Sequence, residues 1–401
     1  MMTSSSVCDV VWPAWPVHDE TEEIALLKVI RSGKWWFGEK VSQFESEYAA
    51  FQGSKYAVTC TNGTTAIEMG LRALGVVEGD EVIVPCYSFM ATASAVVTVG
   101  AIPVFTDICP DTLCMDPADV EAKITPRTRA VVPVHVSGLI ADMDRINAIA
   151  GRCGLAVLED AAHAWGSQLD GKGAGTLSRA GTFSFQETKN ITAGEGGILV
   201  TDDEEIASLC RSYTHCGRVP GSAWYDHDVL GSNLRLTEFQ AVVLSAQLRR
   251  LEQQIAVRER SVQLFNDVLS DVTAIQLPAS NLRMTRRSYH MYIFRLKEGL
   301  SLVRDEIVGE LVAAGIPVSA GWYRPLYQNE LFQKAGAGPP HGIRSPLAGK
   351  GVDYSMTNCP VCVQVCSDAI WIPQNVLLGL EADVLRAAGV IRHIVEQKLN
   401  G

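Results

Sequence analysis

Short β-branched segments alternate with helical ones between residues 55 and about 200, and this alternation constrains the fold more than any other feature. The predicted strands are Glu81–Val84, Ile102–Asp107, Ala130–Val136, Leu155–Glu159, Gly181–Phe185 and Ile198–Thr201. Helical patterns lie between several of them, at Thr64–Leu74, Ala91–Val99 and Asp142–Gly151. Strands joined by helices form a mostly parallel sheet covered by those helices. The sequence therefore predicts an α/β fold, which binds ligands beyond the carboxyl ends of its strands.

A long helical pattern from Thr237 to about Leu269 separates this region from a smaller C-terminal one. The later segments predict a strand at Tyr289–Leu296, a helix at Asp305–Ala314, a loop at 335–350, a short strand at Trp371–Pro373 and a terminal helix at Glu381–Leu399. We therefore predict two domains in the 401 residues. Residues 1–250 form an N-terminal arm and a large α/β/α domain, and residues 251–401 form a smaller α+β domain. Near the start, Asp19–Ser32 is a predicted helix with Ile24, Leu27 and Ile30 on one face.

Charge and cysteine content exclude several classes of protein. The formal net charge of −11 disfavours nucleic acid and anionic membranes as partners. Runs of apolar residues are too short for a transmembrane helix. Eleven cysteines in a chain of this length indicate reduced thiols and a cytoplasmic protein. Cys359, Cys362 and Cys366 lack a fourth ligand nearby, and in a helix they would share one face as apolar residues, so no metal site is predicted.

Two segments place reactive side chains at the ends of predicted strands. The apolar run Leu155–Leu158 ends in Glu159 and Asp160, with His163 three residues further on. Asp160 is therefore either a ligand of the crevice or a helix cap or ion-pair partner. Lys189 follows the strand Gly181–Phe185 and precedes a glycine-rich segment. A desolvated lysine can form a Schiff base, whereas the alternative for Lys189 is an ordinary solvated side chain.

A third segment, Thr61–Thr65, combines a glycine with hydroxyl residues where a helix begins. Free amides and the helix dipole make such a site suitable for an anion, although a plain N-cap would look the same. The phosphate loop of nucleotide hydrolases and the dinucleotide fingerprint are both missing from the sequence. An anion site, an acid and a lysine in this order occur in pyridoxal-phosphate enzymes. That cofactor needs a phosphate site, an acid at its ring nitrogen and a lysine at its aldehyde.

These segments resemble the DegT/StrS group of sugar aminotransferases over nearly the whole chain. The motifs that carry the resemblance are Asn62-Gly-Thr-Thr, Pro85-Cys-Tyr-Ser-Phe89, Glu159-Asp-Ala-Ala-His163, Ser184-Phe-Gln-Glu-Thr-Lys189 with Gly194-Glu-Gly-Gly, and Gly231-Ser-Asn233-Leu-Arg-Leu-Thr-Glu238. The resemblance implies the fold-type I architecture of pyridoxal-phosphate-dependent transferases. It also implies pyridoxal 5'-phosphate as the cofactor.

Residue by residue, the resemblance implies a complete cofactor site. Lys189 would bond the aldehyde and carry the proton, and Asp160 would pair with the pyridine nitrogen. The remaining positions imply cofactor contacts: His163 near the phenolic oxygen, Ser184 with the amides of Gly63 and Thr64 at the phosphate, Phe89 on the ring face, and Asn233 on the phosphate of a neighbouring subunit. Asn233 therefore implies a homodimer with shared active sites. Lys189 also separates the chain from the dehydratase branch, which has histidine there.

The finer resemblance is to the branch that aminates cyclitol ketones in aminocyclitol antibiotic biosynthesis. It rests on Gln186 in the Ser-Phe-Gln run, on the Trp35–Trp36 loop and on Trp371-Ile-Pro-Gln. The expected substrates are glutamine or glutamate as amino donor and a keto-cyclitol or keto-sugar as acceptor. The expected substrate contacts are Trp36, Gln186, His290, Tyr292 and Tyr323.

Other activities remain open at this point. They are amination of a nucleotide-linked keto-sugar, an aminohydroxybenzoate-type lyase or dehydratase reaction, and a non-catalytic cofactor-binding sensor.

Overall fold

The computed structural model describes residues 10–400 except 220, 222, 224, 298, 323, 335–346 and 348–350. The strands are β1 (Tyr56–Cys60), β2 (Glu81–Pro85), β3 (Ile102–Thr106), β4 (Thr128–Val131), β5 (Ala156–Asp160), β6 (Gln168–Leu169), β7 (Lys172–Gly173), β8 (Ala180–Ser184), β9 (Gly197–Thr201), β10 (Ile275–Gln276), β11 (Met284–Arg286), β12 (Met291–Leu296) and β13 (Ala369–Pro373). The α-helices are α1 (Glu20–Ser32), α2 (Glu39–Gln52), α3 (Gly63–Ala73), α4 (Met90–Thr98), α5 (Pro117–Ala122), α6 (Met143–Cys153), α7 (Glu204–Thr214), α8 (Glu238–Leu269), α9 (Arg304–Ala313), α10 (Glu330–Gln333), α11 (Pro360–Asp368) and α12 (Glu381–Asn400).

A seven-stranded mixed sheet forms the centre of the fold. Its strand order is β1-β9-β8-β5-β4-β2-β3, and the five strands from β8 to β3 run parallel. Strand β9 pairs antiparallel with both of its neighbours. Helices α3, α4, α6 and α7 pack against this sheet. The predicted α/β class and the mostly parallel sheet are therefore confirmed.

Strand β4 ends earlier than the sequence pattern suggests. The apolar run Ala130–Val136 predicts a strand throughout, whereas β4 ends at Val131. Pro133 has no backbone N–H and interrupts the ladder. Val134 pairs only through an isolated parallel bridge with Asp160. The segment after β4 still follows the end of β5, because the amide of Asp160 donates to the carbonyl of Pro133 at 2.9 Å and the amide of His135 donates to the carbonyl of Asp160 at 3.1 Å.

Two clusters of buried apolar side chains lie along the chain, and α8 contributes to both. Leu251 and Ile255 belong to the cluster around the large sheet, whereas Val262 and Phe265 belong to a second cluster with β12, β13 and α12. The second cluster covers a three-stranded antiparallel sheet of order β10-β12-β13. The division into domains at residue 250 falls inside α8 and stays a prediction. The predicted loop at 335–350 lies outside the described residues except for Leu347.

Helix α1 forms where the sequence predicts it, but its apolar face is not covered. Asp19 caps the first turn through a capping box, and Gly33 ends the helix in a left-handed conformation. Ile24, Leu27 and Ile30 are each about half exposed. The structure therefore contains the predicted apolar face of α1. No other part of the described chain packs fully against that face.

The three cysteines of the C-terminal region occupy the beginning of α11 and its buried face. Cys359 precedes the first turn, and Cys362 and Cys366 follow at helical spacing, all of them buried. Asp107, at the end of β3, accepts hydrogen bonds from the amides of Val361 and Cys362, both at 2.9 Å. Asp107 therefore caps α11 and joins it to the carboxyl end of the parallel sheet.

Replacing Asp107 by alanine should weaken the fold through this cap. Asp107→Ala leaves two buried helix amides without acceptors, and we expect a loss of about 2–4 kcal/mol in unfolding free energy. Urea unfolding followed by circular dichroism measures it. The control Asp116→Ala removes the N-cap of α5, a single bond to the amide of Ala118, and should cost about 1 kcal/mol. Equal losses in the two variants would contradict the role given to Asp107.

Candidate active site

A cavity of about 740 Å³ lies beyond the carboxyl ends of the parallel strands. We call it the strand-end cavity. The sequence-predicted residues in its wall are Gly63, Thr64, Phe89, Asp160, His163, Ser184, Gln186 and Lys189. They come from the ends of β5 and β8 and from the helices and loops that follow β1, β2 and β8. The parallel sheet therefore brings together residues that are more than 120 positions apart in the sequence.

One end of the strand-end cavity is built to hold an anion. Helix α3 begins there at Gly63, behind the N-cap Asn62, whose side chain accepts from the amide of Thr65. The first amides of a helix have no partner within it and favour negative charge. Gly63 lies so close to Ser184 that an added Cβ would sit 2.6 Å from the Ser184 Cβ. Glycine thus lets the helix start approach the hydroxyl of Ser184, and both can face one anion.

Asp160 is buried at the end of β5 and held by two donors. Thr92 Oγ1 donates to one carboxylate oxygen at 2.7 Å, and the amide of Ala162 donates to the other at 3.1 Å. Ser88 Oγ lies 2.7 Å from Thr92 Oγ1 and extends this chain of hydroxyls. Burial raises the pKa of Asp160 above its ordinary value, and the hydrogen bond from Thr92 opposes that rise. The two donors fix the direction in which the carboxylate faces the cavity.

Lys189 is the second titratable group in the cavity, and its side chain is partly exposed there. Its backbone amide donates to the carbonyl of Gln186, which closes a tight turn directly after β8. Its Nζ lies 5.7 Å from the centroid of the Trp165 ring. Desolvation lowers the pKa of Lys189 to about 8, whereas the charge of Asp160 acts in the opposite direction. About a tenth of this amine is therefore unprotonated at pH 7 and about half at pH 8, where it is available as a nucleophile or base.

His163 presents an unsatisfied nitrogen. Its Nδ1 is buried and has no hydrogen-bond partner among the described residues. Burial holds the pKa of His163 well below its ordinary value, so the ring is neutral. Trp322 stacks on one side of the ring at 5.9 Å, and His290 packs against it at 4.4 Å. A buried polar atom without a partner in a cavity wall indicates a missing ligand.

Phe89 and Gln186 complete the wall of the cavity. Phe89 precedes α4 and is 62% exposed, which is unusual for a phenylalanine beside a large cavity. Its ring is available to cover a flat ligand. The side-chain oxygen of Gln186 accepts from the amide and the hydroxyl of Thr188. That contact fixes the side-chain amide of Gln186, three residues before Lys189 in the sequence.

The other predicted site residues lie elsewhere. Trp36 lies in a groove between α1 and α8, and Asn233 is exposed and pairs with His215. His290 is buried behind His163 and lines a different cavity. Tyr292 differs from the expectation of a substrate contact, since its hydroxyl donates to Asn266 and its ring packs in the second apolar cluster. Strand alternation turns it to the same face as Phe294, away from the strand-end cavity.

Tyr323, the last predicted contact, lies outside the described residues.

Sequence reasoning missed the residues that support Asp160 and Lys189. Thr92 donates to Asp160 across 68 positions of sequence. Trp165 packs against Lys189 and donates to the carbonyl of Ser184, 19 positions away. The only local signal is the pair Ser88 and Thr92, which stand four apart at the start of α4. Helical spacing alone cannot tell which buried acid such a pair would serve.

Comparison with known proteins assigns this arrangement to a family. Residues 16–385 match the model of the DegT/DnrJ/EryC1/StrS aminotransferase family. The crystal structure of 3-amino-5-hydroxybenzoic acid (AHBA) synthase is similar, with 37% sequence identity and a TM-score of 0.87, covering 96% of this chain and 99% of that one. L-glutamine:2-deoxy-scyllo-inosose aminotransferase from Streptoalloteichus tenebrarius is 36% identical over 95% of both chains.

A structure from Bacillus subtilis with the bound cofactor pyridoxamine phosphate is 26% identical, with a TM-score of 0.80 over 94% of this chain and 82% of that one.

The residues of the strand-end cavity fit pyridoxal phosphate. The helix start at Gly63 and the hydroxyl of Ser184 suit the phosphate, and the buried carboxylate of Asp160 suits a protonated ring nitrogen. The unsatisfied Nδ1 of His163 suits a polar atom of the ring. Lys189 supplies a partly unprotonated amine for the aldehyde. The enzyme is a pyridoxal-phosphate-dependent aminotransferase by its family, and these residues fit that cofactor.

The depressed pKa of Lys189 predicts how the apoenzyme captures its cofactor. The unprotonated amine attacks the aldehyde, so the rate of cofactor capture should rise with pH. The midpoint of that rise should lie near pH 8 instead of near 10.5. Stopped-flow absorbance after mixing with pyridoxal phosphate measures it. In Asp160→Asn the midpoint should move to lower pH, because the carboxylate that raises the pKa of Lys189 is gone. The free cofactor titrates identically in both experiments, so an unchanged or higher midpoint in the variant would contradict the assignment.

Proposed function

The chain belongs to the DegT/DnrJ/EryC1/StrS aminotransferase family, and we propose that it moves the amino group of glutamine or glutamate to the keto group of a cyclitol or sugar in aminocyclitol or amino-sugar antibiotic biosynthesis. The observation that carries the proposal is that Lys189, with its lowered pKa, and the buried Asp160 line one cavity together with an anion site. Similarity over 95% of the chain to a glutamine:2-deoxy-scyllo-inosose aminotransferase supports the substrate class.

The residues divide the work of transfer among themselves. Pyridoxal phosphate supplies a ring that withdraws electrons from the bond being broken. The amides of Gly63 and Thr64 and the hydroxyl of Ser184 would hold the phosphate, and Phe89 would cover the ring. Asp160, kept in place by Thr92 and Ala162, would keep the ring nitrogen protonated.

Lys189 would hold the cofactor through its aldehyde, and its amine would accept and return the proton at the substrate carbon. An amine with a pKa of about 8 is suited to both tasks, because it is neither permanently charged nor strongly basic. The two halves of the reaction would use the same residues in opposite order. The unsatisfied Nδ1 of His163 would bind a polar atom of the ring.

A second candidate is an aminohydroxybenzoate-forming reaction. It is favoured by the 37% identity to AHBA synthase over 96% of the chain. Such an activity would release an aromatic product without a keto acceptor, which separates it from amino transfer. A third candidate, amination of a nucleotide-linked keto-sugar, differs in the charge of its acceptor.

We further propose that the protein works as a cytoplasmic homodimer with shared active sites. The apolar face of α1 continues into Trp35 and Trp36, both about half exposed, along the groove beside α8. Exposed apolar surface of this kind marks protein contacts. Asn233 does not line the strand-end cavity of its own chain and is free to reach the phosphate of a neighbour. The ten described cysteines, all free, support a reducing compartment.

Lys189→Ala should abolish transfer. The purified protein should lose its visible absorption band and its response to glutamine, and turnover should fall by at least about 10⁴-fold, since one residue is both anchor and proton carrier. The assay supplies glutamine or glutamate with a cyclitol ketone, a free keto-sugar or a nucleotide keto-sugar, and identifies the product by mass. Lys172→Ala, an exposed lysine in the β6–β7 hairpin, is the control. Full turnover in Lys189→Ala would sink the proposed chemistry.

Ile24→Glu should separate the subunits. The charge enters the middle of the exposed face of α1, where it would be buried in a dimer, and sedimentation velocity should show monomers. Val312→Glu places the same charge on α9, at an apolar side chain that is 54% exposed and outside the groove, and should stay dimeric. Dimers of undiminished stability in Ile24→Glu would show that this face is not the interface.

A further inference from the structure

A second cavity, of about 700 Å³, lies next to the strand-end cavity and shares Thr188 with it. We call it the arm cavity, because the N-terminal arm forms one wall with Trp15. The opposite wall comes from Trp371, Gln374 and Asn375 at the end of β13. Trp15 Nε1 donates to the carbonyl of Glu187 at 2.8 Å, which fastens the arm two residues before Lys189. The arm cavity is therefore adjacent to the reacting amine.

Behind the arm cavity lies a guanidinium group that the proposed chemistry does not use. Arg258 on α8 is fully buried, and no carboxylate pairs with it among the described residues. Its Nε and Nη2 both donate to the side-chain oxygen of Gln374, and its Nη1 has no partner in that part of the chain. The guanidinium also lies 5.7 Å from the centroid of the Trp15 ring.

A buried cation without a counter-charge is destabilising, so packing alone does not account for Arg258. The position of Arg258 determines the orientation of the Gln374 side-chain amide. Two N–H donors require an acceptor, so the oxygen of the amide must face Arg258 and its nitrogen must face the other way. Gln374 lines the arm cavity, and its Nε2 donates to no acceptor among the described residues. Arg258 therefore orients Gln374 so that two free N–H donors face the cavity.

The wall of the arm cavity carries little charge. Glu187 is its one ionised side chain among the described residues, since burial holds the pKa of His290 well below its ordinary value. Neither lysine nor arginine lines it in that part of the chain. A diphosphate would find a negative wall there and no cation to pair with. Hydroxyl groups, in contrast, match the amide donors of Gln374 and the polar side chains of Ser319 and Asn375.

We propose that the arm cavity binds the ring of an uncharged, polyhydroxylated acceptor, with the oxygen of a ring hydroxyl group accepting hydrogen bonds from Gln374 Nε2 and the indoles of Trp15 and Trp371 enclosing the ring. The inference rests on the proposed function and narrows it to a neutral cyclitol or free sugar in preference to a nucleotide-linked one. Gln374 is then a specificity-determining residue. Arg258 is a positioning residue that acts through it.

The variant Gln374→Glu separates the role in binding from the role in packing. A glutamate keeps the acceptor for Arg258 and gives it a counter-charge, so the thermal midpoint should stay the same or rise. It also removes both N–H donors and places a carboxylate in the cavity. Calorimetric titration of the holoenzyme with myo-inositol, a neutral cyclitol, should therefore show affinity lowered by about 10–100-fold. The same change at Gln263, exposed on α8, should leave affinity within about twofold.

Turnover supplies the second readout. In Gln374→Glu, kcat/KM for a cyclitol ketone should fall by about 10–100-fold. The rate at which glutamine alone diminishes the visible absorption band should change by less than about threefold. Arg258→Lys cannot hold the Gln374 oxygen with two N–H groups, so it should raise the acceptor KM several-fold with little change in kcat.

The outcomes distinguish the two levels of the proposal. Equal myo-inositol affinity in the wild type and Gln374→Glu would overturn the inference, as would tighter binding of a uridine diphosphate sugar than of the cyclitol by the wild type. Binding that depends on Gln374, together with no transfer to any ketone, would support the binding site and overturn the proposed function instead.

Discussion

A partly desolvated lysine amine and a buried carboxylate share one cavity at the ends of parallel strands, and the rest of the site depends on this pairing. Neither Asp160 nor Lys189 is stable there as an isolated ion. Asp160 is supported by Thr92 and the amide of Ala162, whereas Lys189 responds by a lower pKa. The parallel sheet makes the arrangement possible because it brings the ends of β5 and β8 side by side. The result is a fixed anion beside an amine that can change its protonation state.

The sequence predicts this centre well because each of its members lies in a local pattern with its own chemical reason. Asp160 ends an apolar strand, Gly63 opens a helix, and Lys189 precedes a glycine-rich segment. The helices and strands around them also follow from periodicity, with ends that shift by a few residues. Pro133, which shortens β4, shows that one missing N–H can outweigh a β-branched pattern.

Contacts between distant segments could not be predicted in the same way. Thr92, Asp107 and Arg258 look like ordinary polar residues in the sequence, and their importance comes from partners 68 to 255 positions away. Tyr292 shows the converse problem. It lies two residues after His290, so that proximity in sequence suggests a shared site, but the backbone of Tyr289 has a positive φ and the strand proper begins only at Met291. Met291 lines the same cavity as His290, so strand alternation turns Tyr292 to the opposite face of β12.

Lys189 and Arg258 illustrate why each residue type suits its place. Lysine can lose its proton, so partial desolvation lowers the pKa of Lys189 and makes it a base, and a full counter-charge would work against that by raising its pKa. Arginine keeps its charge in proteins, so full burial cannot convert Arg258 into a base and leaves it only the role of a rigid donor. Its planar group can fix an amide through two N–H bonds, which an ammonium group cannot do with the same geometry. Removal of solvent from a cation therefore yields a reactive group in the wall of one cavity and an orienting group behind the other.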